Sequence, residues 1–141
     1  MSNETALELK RVLPASRERV FAAWTRTDLI KKWFAPGNMQ TPVAEIDLRV
    51  GGNYRIVMQN ADGETHSPSG AYEEIIPDEK LVFTWKWQDS DLVTRVTIIL
   101  TELGAERTEL ILRHEGFPAE EIRDRHDEGW TGCLANLEAV L

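Results

Sequence analysis

From Thr5 to Leu13 apolar and polar side chains alternate, with Leu7, Leu9 and Leu13 on one side and Glu8 and Lys10 on the other. That period of two is the signature of a half-buried strand. Pro14-Ala15-Ser16 ends it, and Ser16 is placed to cap a short helix through Trp24 whose apolar face is Val20, Phe21, Ala23 and Trp24. A second short helix is expected from about Asp28 to Phe34, stopping at Pro36-Gly37, where neither residue favours continuation.

Beyond Val43 the pattern changes to runs of alternating residues separated by turn chemistry: Gly51-Gly52, Asp62-Gly63, Pro77-Asp78-Glu79, Asp89-Ser90-Asp91 and Gly104-Ala105. Connections this short join antiparallel neighbours, so the segment reads as a meander with strands at roughly 43–49, 53–60, 67–76, 81–88, 93–103 and 107–115. In the clearest strand Leu81, Phe83, Trp85 and Trp87 alternate with Val82, Thr84, Lys86 and Gln88, which turns the aromatic row inward and the other row to water. Tyr54, Ile56 and Met58, then Val96, Ile98 and Leu100, then Leu110, Leu112 and His114 continue that inward face on neighbouring strands. From Pro118 to Leu141 the period becomes helical. Ile122, His126, Trp130, Cys133, Leu134, Leu137 and Leu141 form one stripe, and Glu120 and Glu121 suit the positive end of the helix dipole.

The fold predicted is α+β: a curved antiparallel sheet of about seven strands around a long C-terminal helix, with two short helices after strand one, in a single domain spanning residues 1–141. Six strands spaced about 4.8 Å apart already make a sheet more than about 20 Å wide, whereas a helix with its side chains is about 10–12 Å across. The sheet must therefore curl, and the two short helices must plug one end. Trp24, Trp33, Trp85, Trp87 and Trp130 either fill the remaining volume as packed core or line a cavity that stacks on a flat apolar ligand.

Composition narrows the partners. At 141 residues and 42% hydrophobic content the chain is long enough for a real core. A net charge of -8 with no clustered basic run argues against nucleic acid. No apolar run is long enough to span a membrane, Met1 to Lys10 lacks the order of a signal peptide, and Cys133 is the only cysteine, so a cytoplasmic location is expected. Cys133 lies on the inward apolar stripe, a setting for a small core residue rather than a reactive thiol.

Several local patterns go further: Arg17 to Trp24 with Thr27-Asp28 and Lys32-Trp33-Phe34-Ala35-Pro36-Gly37; Asp47-Leu48-Arg49-Val50-Gly51-Gly52; Gly70-Ala71-Tyr72-Glu73-Glu74-Ile75-Ile76-Pro77; and Gly129-Trp130 with Leu134 and Leu137. Together with the order of elements they resemble the helix-grip fold of the START-like (SRPBCC, Bet v 1-like) superfamily, and within it the family named for the activator of heat-shock protein 90 ATPase. The resemblance implies a domain whose interior takes lipids, sterols, polyketides or other aromatic molecules, some members acting on them as cyclases or aromatases. In the eukaryotic activator, chaperone stimulation also depends on a separate N-terminal domain, which a chain of this length is not expected to carry, so a chaperone partner is not expected.

The candidate chemistry is sparse. His114 on the last strand and His126 on the long helix both point inward, where two imidazoles would serve as acid and base or hydrogen-bond a ligand; otherwise each is a core histidine satisfied by a neighbour. They are the only catalytic candidates. His66 sits beside a turn, the histidines lack metal-ligand spacing, and neither metal nor cofactor is expected. Glu45 and Asp47 form an i, i+2 pair that is expected to face water, because Ile46 and Leu48 are the apolar alternates. No nucleophile, phosphate-loop or dinucleotide motif occurs. The expected function is binding of a small hydrophobic molecule in a cavity lined by Trp33, Tyr54, Met58, Tyr72, Phe83, Trp85, Trp87, His114, His126 and Trp130. The alternatives are a cyclase- or aromatase-type enzyme using His114 or His126, and an interaction protein acting on a chaperone or, as a homodimer, on itself through the sheet edge or acidic surface.

Overall fold

The computed structural model describes residues 5–141. Strand β1 (Thr5–Leu13) leads into helices α1 (Arg17–Thr25) and α2 (Thr27–Ile30). Strands β2 (Gln40–Ile46), β3 (Asn53–Gln59), β4 (Thr65–His66), β5 (Pro68–Ile76), β6 (Lys80–Trp87), β7 (Thr94–Gly104) and β8 (Arg107–Phe117) follow, and helix α3 (Glu120–Val140) closes the chain. All pairings are antiparallel, in the order β1-β8-β7-β6-β5-β3-β2, with the short β4 beside β3. The path from β1 to β2 crosses the sheet from one edge to the other through α1 and α2, as the predicted architecture requires.

Three boundaries differ from the sequence reading. Strand β2 starts at Gln40 and ends at Ile46, because Asp47 to Gly52 folds into a tight turn in which Gly52 N–H bonds to the Arg49 carbonyl and Gly51 takes a φ of 84°. Helix α2 stops at Ile30; the chain continues in turns whose Trp33 and Phe34 N–H groups both reach the Ile30 carbonyl. The strand expected over 67–76 runs from Pro68 to Ile76, and the sequence reading did not anticipate β4, a separate two-residue pairing with β3 just before Ser67, whose hydroxyl bonds to the Ile56 carbonyl.

The inward rows are those the alternation predicts. Tyr54, Ile56, Met58, Leu81, Phe83, Trp85, Val96, Ile98, Leu100, Leu110 and Leu112 are all buried. Val82, on the outer row, is buried as well, since it lies in a central strand between its cross-strand neighbours Glu74 and Thr97. Glu45 and Asp47 face water and pair with Arg55 and Arg49. Helix α3 lies along β1 and β8, burying Trp130, Cys133, Leu134 and Leu137. No helix among the described residues is long and apolar enough to cross a membrane.

The segment after α2 is clamped to α3. Asn136 Nδ2 donates to the Ala35 carbonyl at 2.6 Å and the Gly37 carbonyl at 3.3 Å, while Thr41 donates to the Phe34 carbonyl at 2.7 Å. Gly132 permits this approach, because a Cβ there would stand 3.1 Å from Pro36 Cβ; at Gly129, one turn earlier, a Cβ would meet nothing within 4 Å. The two glycines should answer alanine differently. Gly129→Ala is expected to stabilise by about 0.5–1 kcal/mol through helix propensity alone. Gly132→Ala must push against a pinned proline and is expected to lie about 1–2 kcal/mol below Gly129→Ala in urea denaturation.

Candidate functional site

The interior between α3 and the β3, β5 and β6 side of the sheet is mostly filled by rings, and two voids remain. The larger, about 60 Å³, is walled by Met58, Trp85, Trp87, His126 and Trp130, with Phe34, Pro36, Gly129 and Cys133 completing it. The smaller, about 10 Å³, lies among Tyr54, Tyr72, Phe83, Trp24 and their aliphatic neighbours. Phe34 borders both, its ring centroid 6.0 Å from that of Trp85 and 6.4 Å from that of Trp24. Sixty cubic ångströms is well short of the roughly 150 Å³ that accommodates benzene in an apolar protein cavity. At rest the site is a partly filled core, and a ligand of aromatic size needs a ring to move.

The ten expected lining residues divide. Met58, Trp85, Trp87, His126 and Trp130 share the larger void, and Tyr54, Tyr72 and Phe83 the smaller. Trp33 and His114 line neither. Trp33 is buried between the short helices, its indole N–H donating to the Ala23 carbonyl at 3.0 Å and its ring meeting Trp24 edge-on at 4.6 Å. Of the residues not anticipated as wall, Phe34 and Pro36 belong to the clamped segment, and Gly129 is visible only as a gap in the helix face. Cys133 was on the predicted inward stripe.

Each of the two inward histidines, His114 and His126, is held by a tryptophan. An indole N–H is only a donor, so the ring nitrogen it meets must carry a lone pair, and that fixes the tautomer. Trp130 Nε1–H donates to His114 Nδ1 at 3.0 Å; the proton is therefore on Nε2, which donates to Thr94 Oγ1 at 2.6 Å. The Thr94 hydroxyl donates onward to the Trp85 carbonyl at 3.3 Å. His126 is the opposite tautomer: Trp87 Nε1–H donates to Nε2 at 2.8 Å and Nδ1–H donates to the Ile122 carbonyl at 2.8 Å. The two imidazoles stand 5.2 Å apart with Phe117 against both.

This arrangement suppresses proton transfer. Burial, with the neighbouring His126, pulls His114 down to about 3 from its ordinary 6.5. Burial lowers His126 too, opposed by its bond to the Ile122 carbonyl and reinforced by Arg125. Protonating either ring would place a second N–H against the tryptophan donor it already faces. Neither nitrogen of either ring is free to act as a base in this arrangement. Burial pushes the Cys133 thiol up to about 12, so it remains neutral, and burial also raises the phenols of Tyr54 and Tyr72. His66 is exposed on β4, and among the described residues no group of three His, Cys, Asp or Glu side chains is placed to hold a metal ion.

Two tryptophans lack such partners. The indole N–H groups of Trp24 and Trp85 are buried without an acceptor among the described residues, each at a cost of about 1–3 kcal/mol.

The family described as "Activator of Hsp90 ATPase homolog 1-like protein" matches residues 14–141. The chain belongs to that family. Among solved structures of this fold, a Chromobacterium violaceum protein is 32% identical and superposes with a TM-score of 0.87 over 96% of this chain and 95% of that one. The AHSA1 protein from Silicibacter pomeroyi is 30% identical, with a TM-score of 0.86 and 96% of each chain covered. The human activator of 90 kDa heat shock protein ATPase homolog 1 is 25% identical over 128 residues, which is 88% of this chain and 33% of the human protein. This family member thus spans about a third of that curated relative. The matches bear out both the family resemblance and the helix-grip fold.

The buried neutral histidines set a pH dependence. Because the folded pKa of His114 lies below its unfolded value, the unfolded chain binds more protons on acidification; the stability involved is complete above pH 6.5 and is lost as pH falls toward about 3. The unfolding free energy obtained from urea denaturation between pH 7 and pH 4 should fall with a slope of up to about 1.4 kcal/mol per pH unit for each neutral histidine. His114→Gln should flatten that slope. In NMR, His114 should stay neutral in the Nε2–H form down to pH 5.

Proposed function

We propose that this chain binds a small apolar, aromatic-sized molecule in the larger void, which expands by displacement of the Phe34 ring toward the smaller one. The observation that carries this reading is the unfilled space at Gly129. A glycine inside a long helix costs about 1 kcal/mol relative to alanine, and here it leaves open a cavity wall that any larger side chain would occupy. The surrounding rings supply flat apolar area, and the family's solved folds support an interior site of this kind.

The enzymatic alternative has less support. A cyclase- or aromatase-type reaction through His114 or His126 needs a ring nitrogen free to exchange a proton, and all four are engaged within the protein. A chaperone-directed role rests on kinship with the human activator alone, whereas the cavity belongs to this chain.

Titration of intrinsic tryptophan fluorescence with small bicyclic aromatics is expected to saturate at micromolar ligand. Gly129→Leu, which projects a side chain into the void, should keep the fold and weaken binding by more than about tenfold. Undiminished affinity in that variant would place binding elsewhere.

A further inference from the structure

A second concavity lies outside the core. Where α1, α2 and the last turn of α3 converge, a cleft of about 250 Å³ is left between them. Its floor is Ala22 and Ala23 of α1, whose short side chains leave room above the helix, and its sides are Leu29 of α2 and Val140 and Leu141 at the end of α3. Val140 is 46% exposed there, an apolar residue that the fold leaves uncovered. Trp33, which lines neither interior void, lies against this cleft instead. The cleft shares no lining residue with either void, so what it binds is independent of the binding role proposed above.

The rim is cationic. Arg19 and Arg26 stand about two turns and about 10 Å apart along α1, bracketing the two alanines on one helix face, and Lys32 enters from the turn after α2. All three are exposed, and no acidic side chain joins them in the lining among the described residues. Arg26 is forked onto Asp28 at 3.1 and 3.2 Å, whereas Arg19 and Lys32 make no ion pair among the described residues. Three like charges around one cleft repel each other, in a chain whose net charge is -8, and an anion between them relieves that repulsion. Arginine and lysine stems lie along apolar surface while their charged heads stay free to meet a ligand above it. An apolar floor under a cationic rim is complementary to an apolar body that ends in a negative charge. The volume falls short of the roughly 300–1,000 Å³ of pockets for drug-sized molecules, which limits that body to one or two rings. We propose that this cleft binds a small amphipathic organic anion, its apolar body on Ala22, Ala23 and Leu29 and its oxyanion among Arg19, Arg26 and Lys32.

Amide shifts in NMR are followed with 2-naphthoate, naphthalene-2-sulfonate, the neutral methyl 2-naphthoate and acetate as probes. Saturable shifts at Ala22, Ala23 and Leu29 are expected with both aromatic anions, whose ratio of affinities tells carboxylate from sulfonate preference, and binding of the ester and of acetate should be weaker by about fivefold or more. Arg19→Gln combined with Lys32→Gln, two exposed changes, should weaken 2-naphthoate about three- to tenfold and leave the ester unaffected. Gly129→Leu, which fills the interior void, should leave 2-naphthoate binding as it is. Equal affinity for ester and 2-naphthoate, or unaltered 2-naphthoate affinity in the double variant, overturns the recognition of charge; equal affinity for acetate overturns the apolar floor. Loss of 2-naphthoate binding in Gly129→Leu would move the anion to the interior and overturn the cleft. If neither aromatic anion shifts those amides the proposal falls: a response to polyglutamate in their place would make the cleft a docking site for an acidic chain, and no response would leave the cations complementing the negative end of α3, which has no basic residue in its own last turn.

Discussion

One helix has to cover a sheet much wider than itself. Helix α3 settles along β1 and β8, and the inward rows of β3, β5 and β6 are left to be covered by whatever side chains can reach across. Those are rings: Phe34 from the segment after α2, Trp24 from α1 and Trp130 from α3, meeting Trp85 and each other at centroid separations of 5.1 to 6.4 Å. Flat rigid bodies tile an irregular volume less completely than branched aliphatic chains, and they meet preferentially at edges and angles. The voids follow from that choice of filling. So does the polar chemistry of the interior, since every tryptophan recruited for its area also brings an N–H that needs an acceptor.

Most of the architecture was legible because alternation along a half-buried strand is a direct record of which face is wet. The inward rows of β3, β6, β7 and β8 and the stripe of α3 required nothing else. What failed to show was local: a two-residue strand such as β4 carries too few positions for a period, and the early end of α2 depends on how Phe34 packs. The candidate site was visible as a set of residues and not as a shape. Sequence alternation placed His114 and His126 inside, yet their state is decided by tryptophans 16 and 39 residues away, a pairing that no periodicity encodes. Gly129 left no hydrophobic mark at all, and the part Trp33 plays in the joint between α1 and α2 depends on a hydrogen bond ten residues back.

The two tryptophan–histidine pairs also explain how a histidine-containing interior can be chemically quiet. Imidazole is useful to an enzyme because one nitrogen is left with a lone pair that substrate can reach. Here the lone pairs point at indole N–H groups and the ring protons at Thr94 and the Ile122 carbonyl. The histidines act as hydrogen-bond adaptors that let large aromatic donors be buried, and their opposite tautomers reflect the two directions from which those donors arrive. Membership of the Activator of Hsp90 ATPase homolog 1-like family places this interior within a shared fold.

The route of the chain carries a kinetic consequence. Strand β1 has β8 as its sheet partner, so the first of the described strands waits for the last of them. The contacts that seal the same end are equally remote: Thr108 bonds to the Ala15 carbonyl 93 residues away, and Asn136 reaches Ala35 across 101 residues. Closing loops of that length before any contact repays the lost chain entropy is slow. During synthesis β1 and the apolar faces of α1 and α2 therefore emerge without their final cover, and the nascent chain passes through a period in which its tryptophan-rich segments are open to the wrong neighbours. A fold stitched between its two ends acquires its interior late, and all at once.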